Sequence, residues 1–304
     1  MASKQRVICG LSVAAVWLVA IFALPVWALA GVLAAGAVVC LYELCSMLGK
    51  AGYKLPFAGM AVWTLAWFAA MYMNFFASAS CRFSPYIPLA FPGLFVIAFF
   101  GVAFTRLLNA KIEKPMESMA LSLFALLYIP VMLSLFLPVV AEGGKDSRSG
   151  IFLALVLVLV TKMCDTGGYF IGSAFGKHKM CPRLSPGKSW EGTAGGYLFS
   201  LISGGIVIGL AHLFPQVGWF TRLHQLTTTV GGIVWFLVTV VVIVTVGILG
   251  DLLESLFKRQ CGVKDSSALF PAMGGFFDTF DSVIFVPLTF FVMFFIREIL
   301  ETAW

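Results

Sequence analysis

From Gly250 to Ser282 the chain reads GDLLESLFKRQCGVKDSSALFPAMGGFFDTFDS, and acids and bases crowd into this stretch of an otherwise apolar protein. Asp251 and Glu254 stand three apart, as do Asp278 and Asp281, a spacing that puts each pair on one face if the segment is helical. Lys258, Arg259, Lys264 and Asp265 lie between the pairs. Carboxylates converging in a low-dielectric setting repel one another and take up protons unless a cation sits among them. The chemistry this pattern suits is the holding of a divalent metal.

The elements that must carry these residues are set by composition. Apolar residues make up 61% of the 304 and charged ones 11%, with a mean hydropathy of +1.00, which leaves too little polar surface for a soluble globule. Apolar runs of about 20 residues, the length that crosses a hydrocarbon core as helix, recur from end to end. The reading is an all-α polytopic integral membrane protein with about nine transmembrane helices, at 7–24, 26–48, 57–79, 88–108, 117–141, 151–175, 190–214, 229–257 and 276–296. Pro25, Pro56, Pro88 and Pro115 punctuate the gaps. Residues 1–150 are expected to be scaffold helices facing lipid, and residues 151–304 the catalytic region with its cytoplasmic loops.

Charge orients the spans. Lys4 and Arg6 precede the first and place the N-terminus in the cytoplasm. Fourteen basic residues then fall in inside loops, among them Lys50, Lys54, Lys177, Lys179, Arg183 and Lys188, and five fall outside: Arg82, Lys145, Arg148, Arg222 and Arg297. The apolar character past Ala28-Leu29-Ala30 argues against a cleaved signal peptide. Seven cysteines without a CxxC pair read as packing residues. His178, His212 and His224 lack zinc-site spacing. No nucleic-acid partner is expected.

Two further features carry charge to unusual places. The loop GKHKMCPRLSPGKSWEG brings four bases and a Pro-Gly turn to the start of the seventh span. There Ser185 or Ser189 can cap the helix, whose free N–H groups face an anion. It is not a P-loop, since Pro182 stands where that motif needs glycine. Lys162 and Asp165 lie three apart at membrane depth, where each charge costs about 2.5–3.5 kcal/mol to insert and is normally paired or functional. The alternation of spans brings Asp165, Asp251, Glu254, Asp278 and Asp281 to the cytoplasmic leaflet, beside the basic loops. The apolar piece from Leu269 to Phe277 is too short to cross and is expected to turn or re-enter.

The run Ser255, Lys258-Arg259, Lys264-Asp265, Pro271, Gly274-Gly275, Asp278 and Asp281-Ser282 resembles the C-terminal signature of the phosphatidate cytidylyltransferases, or CDP-diacylglycerol synthases. Asp165-Thr166-Gly167-Gly168, Phe175-Gly176-Lys177-His178-Lys179 and Ser185-Pro186-Gly187-Lys188-Ser189-Trp190-Glu191-Gly192 are similar to family motifs in the expected order. Together they cover roughly residues 160–285. The resemblance implies a many-helix inner-membrane enzyme, generally a homodimer, that uses magnesium to join CTP and phosphatidic acid into CDP-diacylglycerol and pyrophosphate at the cytoplasmic leaflet. It implies Asp251 and Asp278 as metal ligands, with potassium as a candidate second ion. Asp281 and Glu254 are then available to complete the shell, and Lys258, Arg259, Lys264, Ser185 and Lys188 to bind substrate, with Lys264 also catalytic. Met273 and Thr279 depart from the family pattern where it usually has histidine and arginine, and Lys162 adds a cation that can stand in for the lost arginine. The alternatives are an ion-coupled transporter, since acids in membrane helices often mark ion paths, and a related enzyme acting on another lipid phosphate.

The charge division predicts that single cysteines at the N-terminus and beside Lys188 are labelled from the cytoplasm and one at Trp304 from outside. Cytoplasmic labelling of position 304 overturns the span count.

Overall fold

A computed structural model of the chain describes residues 24–77, 87–108, 114–144, 147–270 and 274–302. The expected first span, 7–24, lies almost wholly outside the described residues, as do Cys9, Cys81, Pro271 and Met273. Among the described residues seven helices are long and apolar enough to cross a membrane: Val26–Lys50, Phe57–Phe76, Ala90–Leu107, Pro115–Ala141, Ser147–Phe175, Trp190–Leu213 and Val230–Gln260. They match the second to eighth expected spans, and the protein is an all-α polytopic membrane protein. The chain forms two compact units, Met1–Leu137 with Phe257–Phe280 and Pro138–Leu256 with Asp281–Trp304.

The first unit is built on α1 (Val26–Lys50), α2 (Phe57–Tyr72), α3 (Ile87–Leu107) and α4 (Pro115–Ala141, as far as Leu137). Pro25 and Pro56 immediately precede helices and Pro115 begins one, positions where a missing N–H costs nothing. Inside α4, Pro130 cannot donate, and the ladder widens to a π-helical turn over Leu127–Val131. Buried indoles are satisfied across helices. Trp67 Nε1 donates to Ser134 Oγ at 2.9 Å, and Trp63 Nε1 donates to the Leu94 carbonyl at 2.6 Å. On α3, Phe100 is 65% exposed, an apolar outer face suited to lipid.

The second unit contains α5 (Ser147–Phe175), strands β1 (Lys179–Cys181) and β2 (Ser185–Ser189), α6 (Trp190–Leu213), α7 (Thr221–Leu226) and α8 (Val230–Gln260, as far as Leu256). The strands pair antiparallel, Lys179 with Ser189 and Cys181 with Ser185, with an irregularity between. Leu157, Val160, Ile243 and Val244 belong to its core. Helices α5 and α6 meet through glycine. A Cβ on Gly167 lies 2.6 Å from the Gly195 carbonyl, and one on Gly196 lies 2.7 Å from Cys164 Sγ. Close backbone approach of this kind is how membrane helices gain packing where lipid removes any hydrophobic drive between them.

The expected ninth span, 276–296, is not one helix. It divides into α9 (Phe276–Phe280) in the first unit and α10 (Val286–Thr302) in the second, with a turn between. In the turn Asp281 Oδ1 accepts the Ser282 N–H, a local bond that competes with helix continuation, and Pro287 falls in the first turn of α10, where proline is tolerated. Asp278 and Asp281 therefore do not share a helix face as their spacing suggests.

The glycine contacts set a test. Gly196→Ala is expected to lower stability by about 1–3 kcal/mol through overpacking, read as the melting temperature in detergent. Gly205→Ala, whose Cβ meets nothing within 4 Å, is expected to leave it unchanged.

Candidate active site

The second unit gathers charge at the end of α8. Asp251 and Glu254 lie on one face, and glycines on that helix let the turn after α9 come close. A Cβ on Gly250 would lie 2.7 Å from the Asp281 carbonyl oxygen, and one on Gly247 would lie 3.1 Å from that of Ser282. The result is a set of three carboxylates, Asp251, Glu254 and Asp281, with ligand atoms all within 4.8 Å of one another. Glu254 and Asp281 are buried.

Two lysines approach this set. Lys188 Nζ lies 2.6 Å from Asp251 Oδ2. Lys162 Nζ donates to Asp165 Oδ2 at 3.0 Å and to Ser282 Oγ at 2.8 Å, and the charges of Asp281 and Asp251 also act on it. The Lys162 to Asp165 spacing is thus an ion pair in the fold, with Ser282, a residue next to a site acid, as its third member. Three hard oxygen donors within this distance fit a small divalent cation, whose opposite ligands stand roughly 4 Å apart and which keeps places for water and phosphate.

Lys188 is carried by the hairpin. Strand β2 runs directly into α6, where Ser189 Oγ accepts the Gly192 N–H at 3.2 Å as an N-cap. Glu191, in the first turn, holds the residues that lead into the hairpin's other strand: its carboxylate meets His178 Nδ1 at 2.6 Å and accepts the Lys177 and His178 N–H groups. Ser185 pairs with Cys181 at the far end of the ribbon, so it is Ser189 that caps the helix and Lys188 that reaches an acid.

In the first unit Asp278 has a different set of partners. Its Oδ1 accepts from Lys258 Nζ at 2.8 Å, and its Oδ2 accepts the N–H groups of Ser266 and Gly275 at 3.0 and 2.6 Å and lies 2.9 Å from Ser266 Oγ. Phe270 and Gly274 are bonded both ways, while residues 271–273 of the piece expected to turn, Leu269 to Phe277, lie outside the described residues. Gly274 takes a φ of +90°, and a Cβ there would run into Asp278 Oδ2, so glycine is required. Thr279 Oγ1 bonds to the Gly275 carbonyl at 3.3 Å. Arg259, Lys264 and Asp265 are exposed.

Sequence reasoning named Ser282 only within the family signature, and it passed over Ser266 and above all Glu43. Its carboxylate is 2% exposed and accepts from Ser266 Oγ, Ser267 Oγ and the N–H groups of Phe276 and Phe277. The signal was present, because Glu43 is the single charged residue within the expected span 26–48, and an ionisable residue at that depth is a site candidate by default.

These residues describe a membrane protein that keeps acids and lysines together in polar clusters suited to cations and phosphates. The chain belongs to the cytidylyltransferase family, whose model matches residues 4–297. It is similar to a phosphatidate cytidylyltransferase of Haemophilus influenzae, 42% identical over 141 residues, which are 45% of this chain and 44% of that one. A phosphatidate cytidylyltransferase of Staphylococcus epidermidis is 35% identical over 195 residues, 64% of this chain and 65% of that one. One of Staphylococcus aureus is 41% identical over 143 residues, 46% and 48% respectively. The matches thus span from under half to just under two thirds of these relatives' length. The family does not favour the ion-coupled transporter.

Lys162→Met removes the cation that Asp165, Ser282, Asp251 and Asp281 face. It is expected to lower stability by on the order of 1–2 kcal/mol, the worth of charge-assisted bonds at a partly exposed position, measured by thermal melting in detergent. An unchanged melting temperature shows that the pair contributes nothing to the fold.

Proposed function

We propose that the protein is a phosphatidate cytidylyltransferase: it transfers CMP from CTP to phosphatidic acid, giving CDP-diacylglycerol and pyrophosphate. The observation that carries this reading is the family match over residues 4–297, a range that contains every acid and base of both clusters. The relatives' names supply the acceptor, phosphatidate.

In the reaction an oxygen of phosphatidate's phosphate attacks the α-phosphorus of CTP. A phosphorus–oxygen bond forms there, the bond to the bridging oxygen of the β-phosphate breaks, and pyrophosphate leaves with that electron pair. The attacking phosphate is already an anion, so no general base and no protein nucleophile are needed. Catalysis rests on position and electrostatics. Asp251, Glu254 and Asp281 would hold magnesium, with Asp278 as the ligand that the family resemblance adds, and the chemistry a bound ion would supply is neutralisation of phosphate oxygens. Potassium is the candidate for a second ion.

The chain's own cations do the rest. Lys188 and Lys162 stand beside the acids and face the negative charge of the nucleotide phosphates. Lys258, Arg259 and Lys264 serve the triphosphate and the leaving pyrophosphate, with Ser185 on the hairpin ribbon as a further substrate contact. CTP is soluble and the phosphatidate headgroup lies at the lipid surface, which supports a site at the cytoplasmic face of the inner membrane; the family resemblance implies a homodimer.

The test is to give the purified protein CTP, magnesium and phosphatidate and to measure CDP-diacylglycerol. Asp251→Asn and Asp278→Asn keep size and remove charge, and each is expected to lower kcat at least about 100-fold, with a melting temperature within a few degrees of the parent. Lys264→Ala is expected to raise the KM for CTP and leave the magnesium dependence intact. Near-normal synthesis by either Asn variant at saturating CTP and magnesium sinks the metal assignment. No product from the parent protein sinks the reaction.

A further inference from the structure

Glu43 lies in α1, is buried, and is the only charged side chain between Val26 and Leu48. An ionised carboxylate in such a place must be fully bonded or it is costly. Each of its oxygens takes two donors. Oε1 accepts from Ser267 Oγ at 2.6 Å and from the Phe276 N–H at 3.0 Å, and Oε2 accepts from Ser266 Oγ at 3.0 Å and from the Phe277 N–H at 2.7 Å. The two N–H groups open α9, where a helix has no internal acceptors for them.

The same short segment presents Asp278. Ser266 Oγ stands 3.0 Å from Glu43 Oε2 and 2.9 Å from Asp278 Oδ2, so one hydroxyl lies between the two carboxylates and donates its single proton to one of them at a time. Gly275 lies between them: its N–H donates to Asp278 at 2.6 Å, while a Cβ on it would strike Ser266 Oγ and come within 2.5 Å of Glu43 Oε2. On the far side of Asp278, Lys258 holds Oδ1 at 2.8 Å.

We propose that Glu43 is a positioning residue for Asp278: by gripping Ser266, Ser267, Phe276 and Phe277 it fixes the start of α9, the helix that presents Asp278. Glu43 acts through Asp278 and touches no substrate. The inference rests on the assignment of Asp278 to the active site, and its test separates the two.

In the full-length purified protein, Glu43→Gln replaces an accepting oxygen with an amide that confronts N–H donors. The expected result is a fall in kcat of about 10- to 100-fold, the usual effect of losing a residue that orients a metal ligand. The magnesium concentration for half-maximal rate rises, the KM for phosphatidate is unchanged, and the Phe276 and Phe277 amides lose protection from hydrogen exchange while α5 and α6 keep theirs. Ser266→Ala removes that hydroxyl alone and is expected to move the same quantities less; it decides the matter if Glu43→Gln does not fold. A parental kcat and magnesium dependence in whichever variant folds overturns the proposal, as does a fall in kcat with general loss of protection and no change in magnesium dependence. Asp278→Asn is measured alongside. If it is fully active, the failure belongs to the site assignment, and the exchange of the Phe276 and Phe277 amides still reports whether Glu43 holds the start of α9.

Discussion

Three of the acids central to this protein, Glu43, Glu254 and Asp281, are buried in a chain with a mean hydropathy of +1.00, and the cost of desolvating them governs what surrounds them. A carboxylate removed from water needs donors or an opposite charge close by. The fold answers in two ways. Glu43 is met by neutral donors, two hydroxyls and two main-chain N–H groups. Asp281 accepts the neighbouring Ser282 N–H and lies within the field of Lys162. The first solution makes a rigid joint. The second leaves carboxylate oxygens within 4.8 Å of one another, which a cation or a bound proton makes tolerable.

Glycine makes these solutions geometrically available. At Gly250 and Gly247 it allows a polypeptide turn to approach α8 at distances that a side chain forbids, and at Gly275 it leaves the space in which a serine hydroxyl sits between two acids. Charge placement in this protein is thus bound to backbone proximity. The polar clusters persist because the surrounding apolar helices pack tightly enough to hold the chain at those approaches.

Much of this was legible in the sequence, and the parts that were not share a cause. Spans such as Val26–Lys50 and Val230–Gln260 follow from run length, because a bilayer imposes one dimension on every helix. The Lys162 to Asp165 pair and the common face of Asp251 and Glu254 follow from helical spacing. The break between Phe280 and Val286 did not follow, since an Asp-Ser turn inside an apolar run leaves only a local side-chain bond as its mark. The ribbon of Lys179–Cys181 and Ser185–Ser189 is too short and too irregular for alternation to show. Glu43 was missed because its partners are more than 220 positions away in the chain, and spacing rules reach only a few residues.

The contact between Lys188 and Asp251 has one more consequence. At 2.6 Å the ammonium is already spoken for, so an incoming anion does not meet a free positive charge but has to outbid a carboxylate for it. The resting ion pair therefore leaves neither charge uncompensated where the second unit gathers its acids. Because the lysine rides on a two-stranded ribbon that runs directly into a helix capped by Ser189, its place beside Asp251 is set by the backbone as well as by charge.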